Sequence, residues 1–141
     1  MSVVEVAPES DVVVLPGLVA YGVAMSAEIL YRNDVRETAR LLERVLNMKG
    51  EVESFVGSRL PHDQAKNHSA YVEALIVTLR MAHRIGDQAL VARSYDRAVA
   101  WACAGPLIGV ATSPHLDKIL KIGKSLKQKK QFWHSVTNFF R

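Results

Sequence analysis

Apolar and polar positions along this chain follow a helical period through most of its length. Between residues 35 and 48, apolar side chains at Val35, Leu42, Val45 and Leu46 lie on one side of a helical wheel, and charged side chains lie on the other. Broader apolar faces of the same period occupy three more segments: 17–32, 63–85 and 88–104. The pattern predicts helices, and it lacks the alternation of apolar and polar residues that is typical of strands.

Helix boundaries are marked by capping residues and helix breakers. Asp34 with Glu37 three residues later has the spacing of a capping box, and Ser113-Pro114 has that of an N-cap serine followed by proline. Gly50 is a candidate C-cap of the helix before it. Gly86-Asp87 combines a C-cap glycine with an N-cap, so segments 63–85 and 88–104 are predicted to form an antiparallel hairpin.

The fold class predicted from these elements is all-α. We expect a compact bundle of five or six helices, in which 63–85 is the central helix. Residues 1–16, rich in valine and broken by two prolines, are predicted to form an extended arm, residues 17–112 the helical body, and residues 113–141 a long basic amphipathic helix.

The C-terminal helix carries the clearest candidate binding surface. Its candidate polyanion-binding residues are Lys118, Lys121, Lys124, Lys127, Lys129 and Lys130. Its candidate interface or anchor residues are Ile119, Ile122, Leu126, Phe132, Trp133, Val136, Phe139 and Phe140. A helix of this composition is suited to an anionic membrane, a nucleic-acid backbone, a partner's groove, or the last position in its own fold.

Charge is distributed unevenly along the chain. The net charge is +4, but residues 1–117 contain 11 Lys and Arg against 14 Asp and Glu, whereas residues 118–141 contain seven against none. The body is therefore acidic, and only the last segment is basic. Lysine carries a mobile, strongly hydrated point charge, so a lysine-rich segment fits a diffuse anionic surface better than a fixed bidentate site.

A second candidate surface is an arginine stripe on the predicted helix 35–48. Arg36, Arg40 and Arg44 recur every four residues and follow Arg32, so like charges repel unless a negative group faces them. We include Arg36, Arg40 and Arg44 among the candidate polyanion-binding residues. Alternatively, carboxylates of this or a neighbouring chain neutralise the stripe. The candidate carboxylates are Glu51, Glu53, Glu73 and Asp96.

Residues suited to catalysis or metal binding show no matching pattern. The five histidines lack metal-ligand spacing, and no glycine-rich phosphate loop is present. Cys103 follows Trp101-Ala102 in an apolar run and is expected to be a buried, inert thiol, and His83 is expected to be a core histidine with a backbone partner. We predict no enzymatic activity, cofactor, metal or small-molecule substrate.

Two stretches without formal charge, 12–27 and 98–113, have 16 residues each, and the second is interrupted by Gly105-Pro106. This is short of the roughly 20 that a membrane-spanning helix needs. The N-terminus lacks the basic start of a secretory signal, and one cysteine cannot form an internal disulfide. These features predict a protein of the cytoplasm or another reducing compartment, neither secreted nor membrane-spanning.

More helical surface is apolar than one small domain is expected to enclose, which favours self-association. The sequence therefore predicts a non-enzymatic, self-assembling structural protein of the shell or scaffold type, forming homo-oligomers. Its basic helix would contact a neighbouring subunit and a polyanion, most plausibly RNA or DNA. Two alternatives fit the same residues: a peripheral membrane-surface protein anchored by that helix, and a small nucleic-acid-binding regulator.

Overall fold

The computed structural model describes residues 14–55 and 61–139, and side chains within residues 14–55 and 61–126. These residues form helices and contain no strand, which confirms the all-α class for this part of the chain. Residues 1–13 of the predicted arm lie outside the described residues. Pro16, assigned to that arm, is instead the first residue of a helix.

Six α-helices and one short 3-10 turn make up the described chain. Their bounds are α1 Pro16–Leu30, α2 Val35–Asn47, α3 Lys49–Ser54, α4 Pro61–Arg84, α5 Gln88–Ala104, the 3-10 turn Pro106–Ile108, and α6 Ser113–Phe139. Contacts join α1 to α4 and α2, α4 to α5, and α5 to α6. Helix α4 is central because it also contacts α2, α3 and α6.

The locally encoded helix caps form largely as predicted. The Asp34 carboxylate accepts the Glu37 backbone N–H at 3.0 Å, and the Asp87 carboxylate accepts the Leu90 N–H at 3.1 Å. Gly86 has φ +75, the left-handed backbone that glycine adopts without strain, and it separates α4 from α5. Each cap satisfies backbone groups that a helix end otherwise leaves unpaired.

Two cap predictions are wrong. Gly50 does not end α2 but lies inside α3, because the chain turns at Met48 and continues as helix without a left-handed residue. Ser113 is the first residue of α6 rather than its N-cap. The hydroxyl of the preceding Thr112 donates to the Ala102 carbonyl at 2.5 Å, which ties the start of α6 to the end of α5.

Helix α1 lies against α4 through its small residues. Gly17, Ala20, Ala24 and Ala27 are buried. A Cβ at Gly17 would lie 2.0 Å from the Asn67 backbone oxygen, so only glycine fits. Gly17 meets Asn67 near the start of α4, and Tyr31 at the C-cap of α1 meets Arg84 at the end of α4, so the two helices run parallel.

The core centres on aromatic side chains of α4 and α5. Tyr71 is fully buried, donates its hydroxyl to the Val45 carbonyl at 2.8 Å, and packs edge-on against Trp101 with ring centroids 4.7 Å apart. Burial raises the pKa of Tyr71 to about 12. His68 stacks on Trp101, and its Nε2 donates to the Trp101 carbonyl at 2.7 Å. These contacts hold α2, α4 and α5 together.

Within residues 14–55 and 61–139, no helix combines the length and the apolarity needed to cross a bilayer.

Candidate interaction surfaces

The described part of α6 divides into a buried apolar side and an exposed lysine side. Ile119 is fully buried in the core of its own chain, and Ile122 and Leu126 are half-buried. Gly123 faces Tyr95 of α5 so closely that a Cβ would come within 2.5 Å of the ring. This stretch of apolar face therefore packs on its own chain, and Ile119 is not free to anchor a neighbour.

The lysines of the same stretch point away from α5. Lys118, Lys121 and Lys124 are exposed. The other predicted residues of this helix lie outside the described side chains: Lys127, Lys129, Lys130, Phe132, Trp133, Val136, Phe139 and Phe140. The described lysines thus form a solvent-facing basic row, and of the large apolar side chains beside them Ile119 is buried and Leu120 is 47% exposed.

The arginine stripe of α2 is exposed, as predicted from the wheel. Arg40 lies 3.3 Å from Glu37 on its own helix. Arg36 and Arg44 form no ion pair within 4.0 Å with any other described residue. The stripe therefore presents two guanidinium groups without a carboxylate from the described chain.

The carboxylates expected to neutralise the stripe have other roles. Glu53 pairs with Lys49 at 3.5 Å, and Glu73 lies 3.3 Å from His115 of α6. Glu51 and Asp96 make no ion pair with the stripe among the described residues. Within the described chain these carboxylates therefore do not neutralise the stripe, because helix packing, which sequence spacing does not specify, decides which carboxylates come near α2. Pairing with carboxylates of a neighbouring chain stays a prediction.

Arginines of α5 join this helix to α2. Arg93 contacts Glu43 at 2.5 Å, and Arg97 donates to the Leu46 backbone carbonyl at the end of α2. An open groove of about 350 Å³ lies beside this junction, between α2 and the start of α5. Arg40, Arg44, Glu43 and Asp87 all line it, and their mixed charge favours no ligand of a single sign.

An aromatic and cationic cluster, not found from the sequence, joins the ends of α1 and α4. The Arg32 Nε donates to the Tyr31 hydroxyl at 3.2 Å, and the Arg32 and Arg84 guanidinium carbons lie 5.7 and 5.6 Å from the Tyr31 ring centroid. The hydrogen bond from Arg32, with its charge and that of Arg84, lowers the pKa of Tyr31. Two positive charges therefore converge on one phenol.

Large apolar side chains are exposed on α1. Leu18 is 41% exposed, and Ile29 is 76% exposed, although the apolar wheel of this helix predicts enclosure on nearly all sides. With the exposed Gly22 and the half-buried Met25 they form a row that we call the outer seam: Leu18, Gly22, Met25 and Ile29. The outer seam lies opposite the buried small residues, because 100° per residue puts the two sets on opposite sides.

Further exposed apolar residues follow α5. Leu107 and Ile108 in the 3-10 turn are 86% and 52% exposed. The predicted apolar excess thus concentrates on α1 and this turn. Helix α4 instead buries most of its large apolar residues and exposes a narrow polar strip, Glu73, Arg80 and Arg84.

Two expectations about reactive groups are corrected. Cys103 is exposed rather than buried, because it lies on the side of α5 opposite the core residues Ala98 and Ala102. The histidine with a backbone partner is His68 rather than His83, which is only half-buried. Burial lowers the pKa of His68, and its bond to the Trp101 carbonyl opposes that shift.

The side chains suited to metal binding do not gather. Within the described residues, no three or more His, Cys, Asp and Glu side chains are placed to share a metal ion. His115 Nδ1 is a buried atom without a hydrogen-bond partner, and the Nε2 of the same ring faces Glu73. This pair joins the first turn of α6 to α4.

Comparison with known proteins returned no match, whether to a family model, to a curated protein or to a solved structure.

Proposed function

We propose that this chain is a non-enzymatic structural protein that assembles with copies of itself, and that its basic helix binds a polyanion. In this proposal the helices form a compact bundle, and α6 is its long basic member. The observation that carries the proposal is the orientation of α1, which buries its small residues and presents its large apolar ones. Large apolar patches on a folded surface commonly mark interfaces.

The spacing of the outer seam suits pairing with another helix. Leu18, Gly22, Met25 and Ile29 are separated by four, three and four residues, the alternation by which two helices interlock their side chains. A second α1 offers the same spacing, so a two-fold pair would cover both seams at once. Gly22 has no atom within 4 Å of an added Cβ, so the space above it is open to a neighbour.

Charge at both ends of the outer seam should disrupt this pairing. We expect the wild-type protein to sediment as a dimer or larger oligomer at micromolar concentration, and the double variant L18E/I29E to sediment as a monomer. Both side chains are exposed, so helical circular dichroism should stay unchanged. Analytical ultracentrifugation measures the outcome.

The matched control is V35E, which also places an acid at an exposed apolar position but lies on α2, outside the outer seam. It should leave the oligomer intact. A monomeric wild-type protein would overturn the assembly proposal, and equal dissociation by V35E would overturn the assignment to the outer seam.

The exposed lysine row supports the polyanion part of the proposal. Lys118, Lys121 and Lys124 face solvent while Ile119 is buried on its own chain. A membrane-surface role would need a free apolar side to enter the lipid, and within residues 113–126 Leu120 is the one exposed large apolar side chain, so this stretch favours a nucleic-acid backbone over a bilayer. The backbone requires only accessible positive charge.

Removing the three lysines should weaken nucleic-acid binding and its salt dependence. For K118Q/K121Q/K124Q, we expect the slope of log affinity against log salt for a single-stranded oligonucleotide to fall by about 2, because each lost phosphate contact contributes about 0.7. Fluorescence anisotropy across a salt series measures the slope. The control K49Q/K66Q removes two exposed lysines of the body and should leave the slope unchanged.

Two results would contradict this assignment. A slope unchanged in the triple variant would mean that other residues bind the nucleic acid. Stronger binding to anionic vesicles than to the oligonucleotide, lost in the same variant, would support the membrane-surface alternative instead.

A further inference from the structure

We propose that Arg32, Arg84 and Tyr31 form a binding site for a single phosphate group, separate from the lysine row and the outer seam. The site lies where the parallel helices α1 and α4 end together. It brings two guanidinium groups and one phenol hydroxyl from positions 53 residues apart into one cluster. This proposal does not depend on self-assembly.

Two guanidinium groups approach the same phenol ring from the C-terminal ends of α1 and α4. Each lies within 6 Å of the Tyr31 centroid, at 5.7 Å for Arg32 and 5.6 Å for Arg84. Two like charges beside one ring repel each other, and the negative face of that ring offsets this only in part. An anion between them would remove the repulsion.

Carboxylates of the described chain do not supply that anion. Neither Arg32 nor Arg84 has an ion pair within 4.0 Å among the described residues. Glu28 lies one helical turn before Arg32 without reaching it, and Asp34 and Asp87 are engaged as helix caps at 3.0 and 3.1 Å. The Arg32 Nε–H donates to the Tyr31 hydroxyl, and the other guanidinium donors have no carboxylate partner among the described residues.

The ends of the two helices do not occupy these donors either. Helix C-termini attract cations through their free carbonyl groups, which would explain arginines at this place without any ligand. Here backbone amides already bond carbonyls at both ends: Leu30 O accepts from Asn33 and Asp34, and Ala82 O accepts from Asp87. Arg32 and Arg84 are both exposed.

The donor set fits phosphate better than a carboxylate. Guanidinium groups bind phosphate through paired N–H donors, and a tetrahedral phosphate offers oxygens in more than one direction. Two guanidinium groups on different helices and a hydroxyl can thus address different oxygens of one group. A carboxylate offers two oxygens in one plane, so it fits two guanidinium groups and a hydroxyl less completely than a tetrahedral phosphate does.

Inorganic phosphate is the probe that tests this site. At constant ionic strength set with sodium chloride, we expect saturable shifts of the Arg32 and Arg84 Nε–H resonances in two-dimensional NMR spectra. The dissociation constant should be on the order of 1 mM for this open site. Acetate at the same concentrations should produce smaller shifts that do not saturate.

Single substitutions test which residues form the phosphate site. R84Q should weaken phosphate binding about tenfold, the effect of losing one charge-assisted contact. Y31F should weaken binding by a smaller factor, because it keeps the ring and removes only the hydroxyl. The matched control is R80Q, an exposed arginine one turn earlier on the same helix, which should bind phosphate as the wild type does.

Equal weakening by R80Q and R84Q would overturn the proposal, because it would indicate a general response to surface charge. Two NMR results would also overturn the proposal. One is resonance shifts that grow linearly with phosphate concentration at every arginine, and the other is shifts that saturate equally with acetate. Circular dichroism of each variant checks that the fold is kept.

Discussion

Replacing Gly17 with alanine should destabilise the protein by about 3 kcal/mol, at the upper end of the usual effect of overfilling a packed contact. The new Cβ would lie 2.0 Å from the Asn67 carbonyl oxygen and 2.9 Å from its carbon. Both are backbone atoms of α4, so no side chain can rotate aside. Helix α1 would have to move away from α4, which would also break the 2.7 Å bond from the Gly17 N–H to Asn67 Oδ1.

Urea denaturation, monitored by circular dichroism, measures this loss of free energy of unfolding. The matched control is Gly50→Ala, another helical glycine, at which an added Cβ meets no atom within 4 Å. That variant should gain about 0.5–1 kcal/mol, because alanine is the better helix former. A Gly17→Ala protein as stable as the wild type would contradict the close packing of α1 on α4.

Replacing Asn67 with alanine is the second large expected effect, a loss of about 2–5 kcal/mol from two buried groups left without partners. The Asn67 side chain is 2% exposed. Its Oδ1 accepts the Gly17 N–H at 2.7 Å, and its Nδ2 donates to the Val52 carbonyl at 3.1 Å. One amide thus joins α1 and α3 to α4, and alanine can make neither bond.

Hydrogen exchange separates this explanation from a general loss of packing. The Gly17 amide should exchange faster in Asn67→Ala by a larger factor than amides in the middle of α4. The control Asn47→Ala removes an exposed asparagine at the end of α2 and should change the free energy of unfolding by less than about 0.5 kcal/mol. A stable Asn67→Ala protein would mean that the two bonds contribute little.

Features governed by neighbouring residues could be predicted from the sequence. Asp34 and Asp87 cap helices because their carboxylates need only reach an amide three residues away. The polar strip of α4 was also predictable, because few polar positions interrupt its apolar wheel. Gly50 shows the limit of such rules, because a glycine is equally compatible with a helix that continues.

Features that depend on which helices meet could not be predicted. Cys103 and His83 looked buried because their neighbours are apolar, but the side of α5 that faces the core runs through Ala98 and Ala102, and the histidine that reaches Trp101 is His68. The cluster of Tyr31 with Arg84 required the parallel packing of α1 on α4. Sequence spacing gives no information about a contact between residues so far apart.

The sequence by itself determined the all-α class, most helix boundaries, and the separation of an acidic body from a basic C-terminal segment, because these follow from local periodicity, capping and composition. Only the tertiary structure decided which side of α1 faces inward. The helix is apolar nearly all round, so its wheel has no polar face to fix its orientation. Small residues allow α1 to approach α4 closely, and this packing leaves Leu18 and Ile29 on the surface where we place the interface.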